Sequence, residues 1–235
     1  MAARIVTYHR VKWANDSFAL IKVQVIFHAS LAKGYVPAMW HQVKAVFIPK
    51  PSRSSYRGPR GFRPISLTSF LLKTMERLVD RFLKDEILVL QPLHPNQHAY
   101  QVGKSVEMTL HQLVVWAGKA LDQQEIYLGV LLDIEGVFNN NSYDSMCAAL
   151  ARHGEEHTTV QWIRTTLEGR LVTTTFGRFS RSVVVSRGCP QGGVLSPLLW
   201  CLVVNKLLAR LNEEGVYAQV YADDIYLQAV GPSNC

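Results

Sequence analysis

Residues 216–230 read VYAQVYADDIYLQAV, and this stretch decides the fold. Two apolar runs, Val216–Tyr221 and Ile225–Val230, flank the short segment Ala222-Asp223-Asp224, which predicts two strands joined by a tight turn. Taken alone, such an acidic turn is more often a solvated loop than a binding site. Two neighbouring carboxylates are costly to hold together unless solvent or a cation balances their charge.

A second apolar run, Ile126–Leu132, predicts a buried strand that ends at Asp133. If this strand and the acidic hairpin are adjacent central strands of one sheet, Asp133 lies beside Asp223 and Asp224. Three carboxylates in one place form the hard oxygen site that magnesium prefers. Two metal ions ~3.5–4 Å apart can stabilise both oxygens of an in-line phosphoryl displacement. The pattern therefore indicates a metal site at the strand ends.

The rest of the chain alternates helical and strand patterns, with one loop between them. Residues 51–64 are crowded with Ser, Arg, Gly and Pro and predict a mobile basic loop. Helical spacing predicts helices over residues 16–33, 68–90, 105–121, 143–152, 160–167 and about 197–212. Extended patterns predict further strands over residues 43–48, 170–176 and 179–186.

Composition favours a polyanionic partner such as nucleic acid, since 25 Lys and Arg against 18 Asp and Glu give a formal charge of +7. The cysteines form no closely spaced pair, so the sequence predicts reduced thiols and neither a zinc knuckle nor a disulfide framework. No apolar stretch approaches the ~20 residues that span a bilayer. We therefore expect a soluble intracellular protein without a membrane partner. The four cysteines are Cys147, Cys189, Cys201 and Cys235.

Several blocks together resemble the reverse transcriptase domain of non-LTR (LINE-type) retrotransposons, particularly the insect Jockey-like elements. The metal motifs are residues 131–138 (LLDIEGVF) and 221–224 (YADD), and residues 187–200 (RGCPQGGVLSPLLW) are more specific still. Two upstream regions agree with them: residues 47–51 with 61–67 (FIPKP and GFRPISL), and residues 96–105 (NQHAYQVGKS). The resemblance covers almost the whole chain from about residue 20.

The resemblance implies a mixed α/β (α+β) fold. We expect a polymerase palm with a small antiparallel sheet backed by helices, over residues 126–235, and mainly helical fingers over residues 1–125, the two interleaving. The fingers would include an N-terminal helix and the basic loop 50–64. Because the sequence stops at Cys235, just past the acidic hairpin, we expect a truncated fragment without a thumb or an endonuclease domain.

The implied activity is that of an RNA-directed DNA polymerase acting by two-metal nucleotidyl transfer. Asp133, Asp223 and Asp224 would be the catalytic acids and the ligands of two Mg²⁺ ions, with Mn²⁺ as a substitute. The partners would be an RNA template, a DNA primer and deoxynucleoside triphosphates. The expected location is the cytoplasm and nucleus, within a ribonucleoprotein of the element. The oligomeric state stays open.

The resemblance also implies roles for residues other than the acids. From the residues alone, simpler interpretations stay open: a solvated pair of basic loop residues, core packing by the aromatic side chains, and an ordinary glycine turn. Nucleotide binding is implied for Lys50, Arg63, Phe138, Gln191 and Gly192, and contact with primer or template for Gly193, Tyr221 and Ala222.

The sequence departs from the family pattern after the first acid. The family usually has Ala-Phe-Asp where this chain has Val137-Phe138-Asn139. This change and the early end leave a second hypothesis open, a catalytically inactive, truncated remnant that binds nucleic acid. A two-metal nuclease is a third, since it would use the same carboxylates. A P-loop ATPase is excluded because His98 stands where that motif needs its first glycine.

Overall fold

A computed structural model describes residues 18–51 and 56–232. Its helices fall close to the predicted ranges, and the region from residue 70 to 90 is continuously helical with a π-helical segment, Leu83–Ile87, inside it. The α-helices are α1 (Phe18–Lys33), α2 (Phe70–Phe82), α3 (Leu88–Leu90), α4 (Val106–Asp122), α5 (Val137–Asn140), α6 (Tyr143–Arg152), α7 (His157–Leu167) and α8 (Ser196–Glu213).

The strands form two separate sheets. Short 3₁₀ turns, Ala38–His41 and Pro59–Gly61, precede the first two strands. The strands are β1 (Gln42–Pro49), β2 (Phe62–Leu67), β3 (Glu125–Asp133), β4 (Leu171–Phe176), β5 (Phe179–Val184), β6 (Tyr217–Tyr221) and β7 (Asp224–Pro232).

One compact unit comprises residues 1–91 and 138–199, of which residues 18–51, 56–91 and 138–199 are described. Its sheet has the order β2-β1-β4-β5, with β1 and β4 parallel and the other pairs antiparallel. Helix α1 packs on α7, where the Trp162 indole donates a hydrogen bond to the Ser30 hydroxyl (3.0 Å). Trp162 is fully buried and lies in the core of this unit.

The other compact unit comprises residues 92–137 and 200–235, described as far as residue 232. Its sheet has the order β3-β7-β6 and is antiparallel throughout. Helix α4 packs against β3 and β6, and Ser105 caps it by accepting the Met108 N–H (3.3 Å). Among the described residues, no helix combines the length and the apolar character needed to cross a membrane.

The predicted fold class is confirmed: the protein has a mixed α/β architecture, and one sheet is small, antiparallel and accompanied by a helix. The three cysteines within the described residues, Cys147, Cys189 and Cys201, are free, and Cys235 lies outside those residues. The assignment of residues 1–125 to fingers and 126–235 to palm stays a prediction.

Two predictions of local structure are corrected. The basic loop was expected to reach Pro64, but β2 begins at Phe62 and Pro64 pairs with Phe47. Proline is tolerated there because β2 is an edge strand, which needs hydrogen bonds on one side only. Residues 52–55 of that loop, like residues 16 and 17 of the first predicted helix, lie outside the described residues.

The second correction concerns the apolar strand before Asp133. It was expected to be central and buried, yet β3 is an edge strand and most of its side chains are exposed, including Leu128 and Leu131. A continuous apolar run is typical of a strand covered on both faces. Here most of the side chains of β3 are exposed, so the apolar run does not indicate burial.

Candidate active site

The hairpin β6–β7 carries the two adjacent acids. Its turn consists of Ala222 and Asp223, and Ala222 has a φ of +54°, which is uncommon for a residue other than glycine. The buried Trp200 indole donates a hydrogen bond to the Ala222 carbonyl (2.7 Å). The turn is therefore held from within its own unit by a bond to helix α8.

The third acid reaches the same place through strand pairing. In the β3–β7 ladder, Asp133 lies directly opposite Asp224, and the Ile134 N–H donates to the Asp223 carbonyl (3.0 Å). All three aspartates are exposed. The expectation that neighbouring strands bring Asp133 beside Asp223 and Asp224 is thus confirmed at the level of the backbone.

The carboxyl group of Asp224 is affected by the charges of the other two aspartates. Partial loss of hydration at this exposed side chain, followed by the negative charges of Asp223 and Asp133, raises the pKa of Asp224 above its ordinary value. Like charges destabilise the ionised form of a neighbouring acid. The end of this sheet is therefore a region of concentrated negative charge.

The donor set fits a divalent cation chemically, because carboxylate oxygens are the ligands that hard cations prefer. A cation would also relieve the repulsion that raises the pKa of Asp224. Across residues 18–51 and 56–232, however, no group of three or more His, Cys, Asp or Glu side chains is arranged to hold a metal ion. The acids share one end of the sheet, but their side chains do not form a ready coordination sphere.

Tyr100 belongs to this site but received no role from the sequence. Its backbone has a φ of +61°. Partial burial and then the charge of Asp223 raise the pKa of its hydroxyl. A strained backbone beside a functional group is a feature of active sites. No sequence signal marks a positive φ at a tyrosine, so Tyr100 could not have been found in that way.

In the unit that contains β1 and β2, Lys50 and Arg63 lie at the same end of the β1–β2 pair. Arg63 pairs with Ile48, and the Lys50 N–H donates to the Gly61 carbonyl (2.9 Å). The Tyr56 hydroxyl donates to the Lys50 carbonyl (2.8 Å). The backbone hydrogen bonds thus place the two basic residues at one end of the strand pair.

The loop with Gln191, Gly192 and Gly193 packs against β2 in the same unit. The Ser66 N–H donates to the Gln191 carbonyl (2.7 Å), and a Cβ on Gly192, whose φ is +105°, would lie 3.2 Å from the Ser66 carbonyl. A Cβ on Gly193 would lie 2.7 Å from the Ser196 hydroxyl. These glycines are needed for close approach, which is more than a generic turn requires.

Phe138 is tied to the beginning of that loop. Its carbonyl accepts the Cys189 N–H (2.6 Å), and the Gly188 N–H donates to the Asn141 carbonyl (2.7 Å). The Phe138 side chain is half-buried. Core packing and contact with a ligand both stay open for this ring.

The predicted site residues therefore form two groups, one in each unit. Phe138, Gln191, Gly192 and Gly193 lie around one loop, with Lys50 and Arg63 at the end of β1–β2. The other group is Asp133, Tyr221, Ala222, Asp223 and Asp224. The roles assigned to them individually remain predictions.

Comparison with known proteins identifies the class. Residues 48–235 match the family model described as reverse transcriptase (RNA-dependent DNA polymerase), and the chain belongs to this family. Enzymes of this family use divalent metal ions.

Among individual relatives, the Pol polyprotein of retrotransposable element R2 from Popillia japonica is 30% identical over 84% of this chain and 29% of that protein. The polymerase of mobile element jockey from Drosophila melanogaster is 26% identical over 88% of this chain and 23% of that protein. The chain thus spans less than a third of the length of these relatives.

The fold is also similar to solved structures of telomerase. An apo telomerase from Candida tropicalis, truncated of its C-terminal domain, has a TM-score of 0.57 at 13% identity, over 90% of this chain and 48% of that chain. A second structure from the same organism, with a fragment of telomeric RNA, has a TM-score of 0.58 at 11% identity, over 89% and 39%. At this identity the likeness concerns the fold alone.

Proposed function

We propose that this chain is the nucleotidyl-transfer region of a retrotransposon RNA-directed DNA polymerase, which extends a DNA primer on an RNA template with deoxynucleoside triphosphates. The observation that carries the proposal is the register that sets Asp133 opposite Asp224, next to Asp223. Membership of the reverse transcriptase family supports it. The net charge of +7 suits a nucleic-acid partner.

Asp133, Asp223 and Asp224 would hold the metal, for which we propose Mg²⁺. When bound, the pair of ions lowers the barrier by stabilising negative charge on the attacking and leaving oxygens. The three carboxylates supply the negative charge that retains such cations at the end of the sheet. Their exposure leaves this end of the sheet open to a primer terminus.

The other candidate residues would bind the incoming nucleotide. Lys50 and Arg63 would neutralise the triphosphate, Arg63 through its guanidinium fork and Lys50 through its ammonium group. Phe138 would stand under the sugar and exclude a ribose 2′-hydroxyl. Gln191 and Gly192 would contact the nucleotide, and Gly193, Tyr221 and Ala222 would lie along primer and template.

The test is primer extension on an RNA template with deoxynucleotides and Mg²⁺, with binding of the primer–template measured in parallel. Asp223→Asn should abolish extension, because it removes one of the carboxylates that would hold the metal. The affinity for the primer–template should stay within about threefold of that of the unsubstituted protein, because the side-chain shape is kept. Asp122→Asn, at the end of α4, is the matched control and should extend normally.

Extension that survives both Asp223→Asn and Asp133→Asn would overturn the proposal. Salt-sensitive binding without extension would instead identify a nucleic-acid-binding remnant, a reading that the change to Asn139 favours. Degradation of nucleic acid without added nucleotides would identify a nuclease. A Phe138→Ala variant that accepts ribonucleotides would support the proposed sugar selection.

A further inference from the structure

Glu76 is a buried acid on a helix whose other buried side chains are apolar. It is 3% exposed, among residues such as Met75, Val79 and Phe82 on α2. A buried carboxyl group is costly unless it is hydrogen-bonded. The Glu76 Oε2 accepts a hydrogen bond from the Val194 N–H (3.0 Å), 118 residues further along the chain.

Val194 directly follows the Gly192-Gly193 pair, so this bond fixes the end of the loop that carries Gln191. Within the loop, the Pro190 carbonyl accepts from the buried Ser196 hydroxyl (2.8 Å). The Glu76 carboxyl holds this loop from helix α2, which is far from the loop in the sequence.

The beginning of the same loop is held by a buried cation. Arg170 is 5% exposed, and its guanidinium donates to the carbonyls of Leu167 (2.7 Å) and Gly188 (2.5 Å). Its positive charge also acts on Glu76, as does that of Lys73. Two buried side chains, the carboxyl group of Glu76 and the guanidinium group of Arg170, therefore hold the two ends of the Gly188–Val194 loop.

We propose that Glu76 is a positioning residue that fixes the Gly188–Val194 loop and thereby sets the affinity for the incoming deoxynucleotide. The proposal rests on the proposed function, since it takes Gln191 and Gly192 to be nucleotide contacts. Glu76 itself touches no substrate. Without its acceptor the Val194 N–H would lose its partner, and the loop would move to recover one.

Three substitutions separate the hydrogen bond from charge and burial. Glu76→Gln keeps a carbonyl acceptor at the same reach and replaces the titratable carboxyl group by a neutral amide. Glu76→Asp keeps a carboxyl group but shortens the side chain by one methylene, so that the acceptor no longer reaches the Val194 N–H. Glu76→Leu removes the acceptor and keeps the site apolar. Glu214→Leu, on an exposed residue, is the control.

Steady-state extension should show a KM for deoxynucleotide raised about tenfold in Glu76→Asp and Glu76→Leu, with kcat changed less than about threefold. Glu76→Gln and Glu214→Leu should stay within about twofold of the unsubstituted protein. A general loss of folding would lower kcat and the active fraction without this selective effect on KM. If the Leu variant does not fold, Glu76→Asp still carries the comparison.

Hydrogen exchange of the amides of residues 191–195 gives a second readout that needs no catalysis. Exchange should become faster in the Asp and Leu variants and stay unchanged in the Gln variant and the control. Unchanged exchange in Glu76→Asp would overturn the inference whatever the activity. A protein that extends primers with the same KM in all four variants would also overturn it.

Failure of the unsubstituted protein to extend primers would count against the proposed function, and the exchange rates would still decide the role of Glu76.

Discussion

Asp133 and Asp224 face each other at the last pair of a nine-residue antiparallel ladder that begins with Glu125 opposite Pro232. In a strand, a shift of one residue would turn every side chain to the other face. The full length of the ladder therefore specifies that these two residues pair. The proposed binding of a cation at this end of the sheet would therefore depend on strand pairing far from the acids themselves.

The first prediction concerns the coupling of these acids. Partial loss of hydration is the main cause of the raised pKa of Asp224, and the charges of Asp223 and Asp133 raise it further. Asp133→Asn should therefore lower the pKa of Asp224, as followed by the carboxyl ¹³C shift in an NMR titration. Asp122→Asn should leave it unchanged. The same Asp224 titration curve in the Asp133→Asn and unsubstituted proteins would contradict the coupling. Added salt should reduce the difference between the two pKa values of Asp224.

The second prediction concerns the glycine at the start of the 188–194 loop. Gly188 has a φ of +78°, and a Cβ there would lie 2.6 Å from the carbonyl oxygens of Phe138 and Asn139. We expect Gly188→Ala to lower the free energy of unfolding by roughly 2–4 kcal/mol, through backbone strain and this contact. Urea denaturation measures the change.

Gly177→Ala is the matched control for that substitution. Gly177 also has a positive φ, +57°, but a Cβ there would meet nothing within 4 Å. It should cost only the strain of the left-handed conformation, about 1 kcal/mol. Equal losses in the two variants would show that the contact with Phe138 and Asn139 contributes nothing.

Much of the local structure could be predicted because it depends on neighbouring residues. Helix α6 has the predicted bounds, since the Ser142 hydroxyl accepts the Ser145 N–H and caps it where the apolar spacing begins. The strands β4 and β5 were predicted around Gly177, whose positive φ suits a hairpin turn. The positions of Asp133, Asp223 and Asp224 at strand ends were likewise predicted from the apolar runs beside them.

Contacts between distant segments could not be predicted. The parallel pairing of β1 with β4 joins Lys44 to Thr173, and no local pattern specifies that neighbour. The bond from Val194 to Glu76 is equally remote, because a glutamate within a helical pattern is ordinarily a solvated residue. The exposure of β3 was missed because an apolar run does not reveal whether the faces of the strand are covered.

The third prediction tests the support of the acidic turn. Trp200→Phe removes the indole donor to the Ala222 carbonyl and keeps most of the buried ring. We expect the unfolding free energy to fall by about 1 kcal/mol and the amides of residues 222–224 to exchange faster. Trp116→Phe, at a ring that is 41% exposed and lies beside Tyr217, should leave the turn amides unchanged. Equal exchange in both variants would contradict a specific role for Trp200.

The fourth prediction is a pH dependence of stability that comes from Glu76. Burial raises its pKa from 4.5 to about 7, whereas the hydrogen bond from Val194 and the charges of Lys73 and Arg170 lower it and Asp80 raises it slightly. The folded protein therefore binds a proton at Glu76 that the unfolded chain releases between these values. The stability from this group is complete below pH 4.5 and is lost as the pH rises to about 7.

The shift corresponds to roughly 3 kcal/mol across that window. The Glu76→Gln variant has no titratable group at this position. We therefore subtract its unfolding free energy from that of the unsubstituted protein. This difference should fall by about 3 kcal/mol between pH 4.5 and 7 and then level off. Glu155, whose pKa burial also raises to about 7, is present in both proteins and cancels in the difference. Urea denaturation at intervals of pH measures both curves. Parallel curves would mean that Glu76 is ionised in the folded protein throughout, held so by Lys73 and Arg170 against the cost of burial.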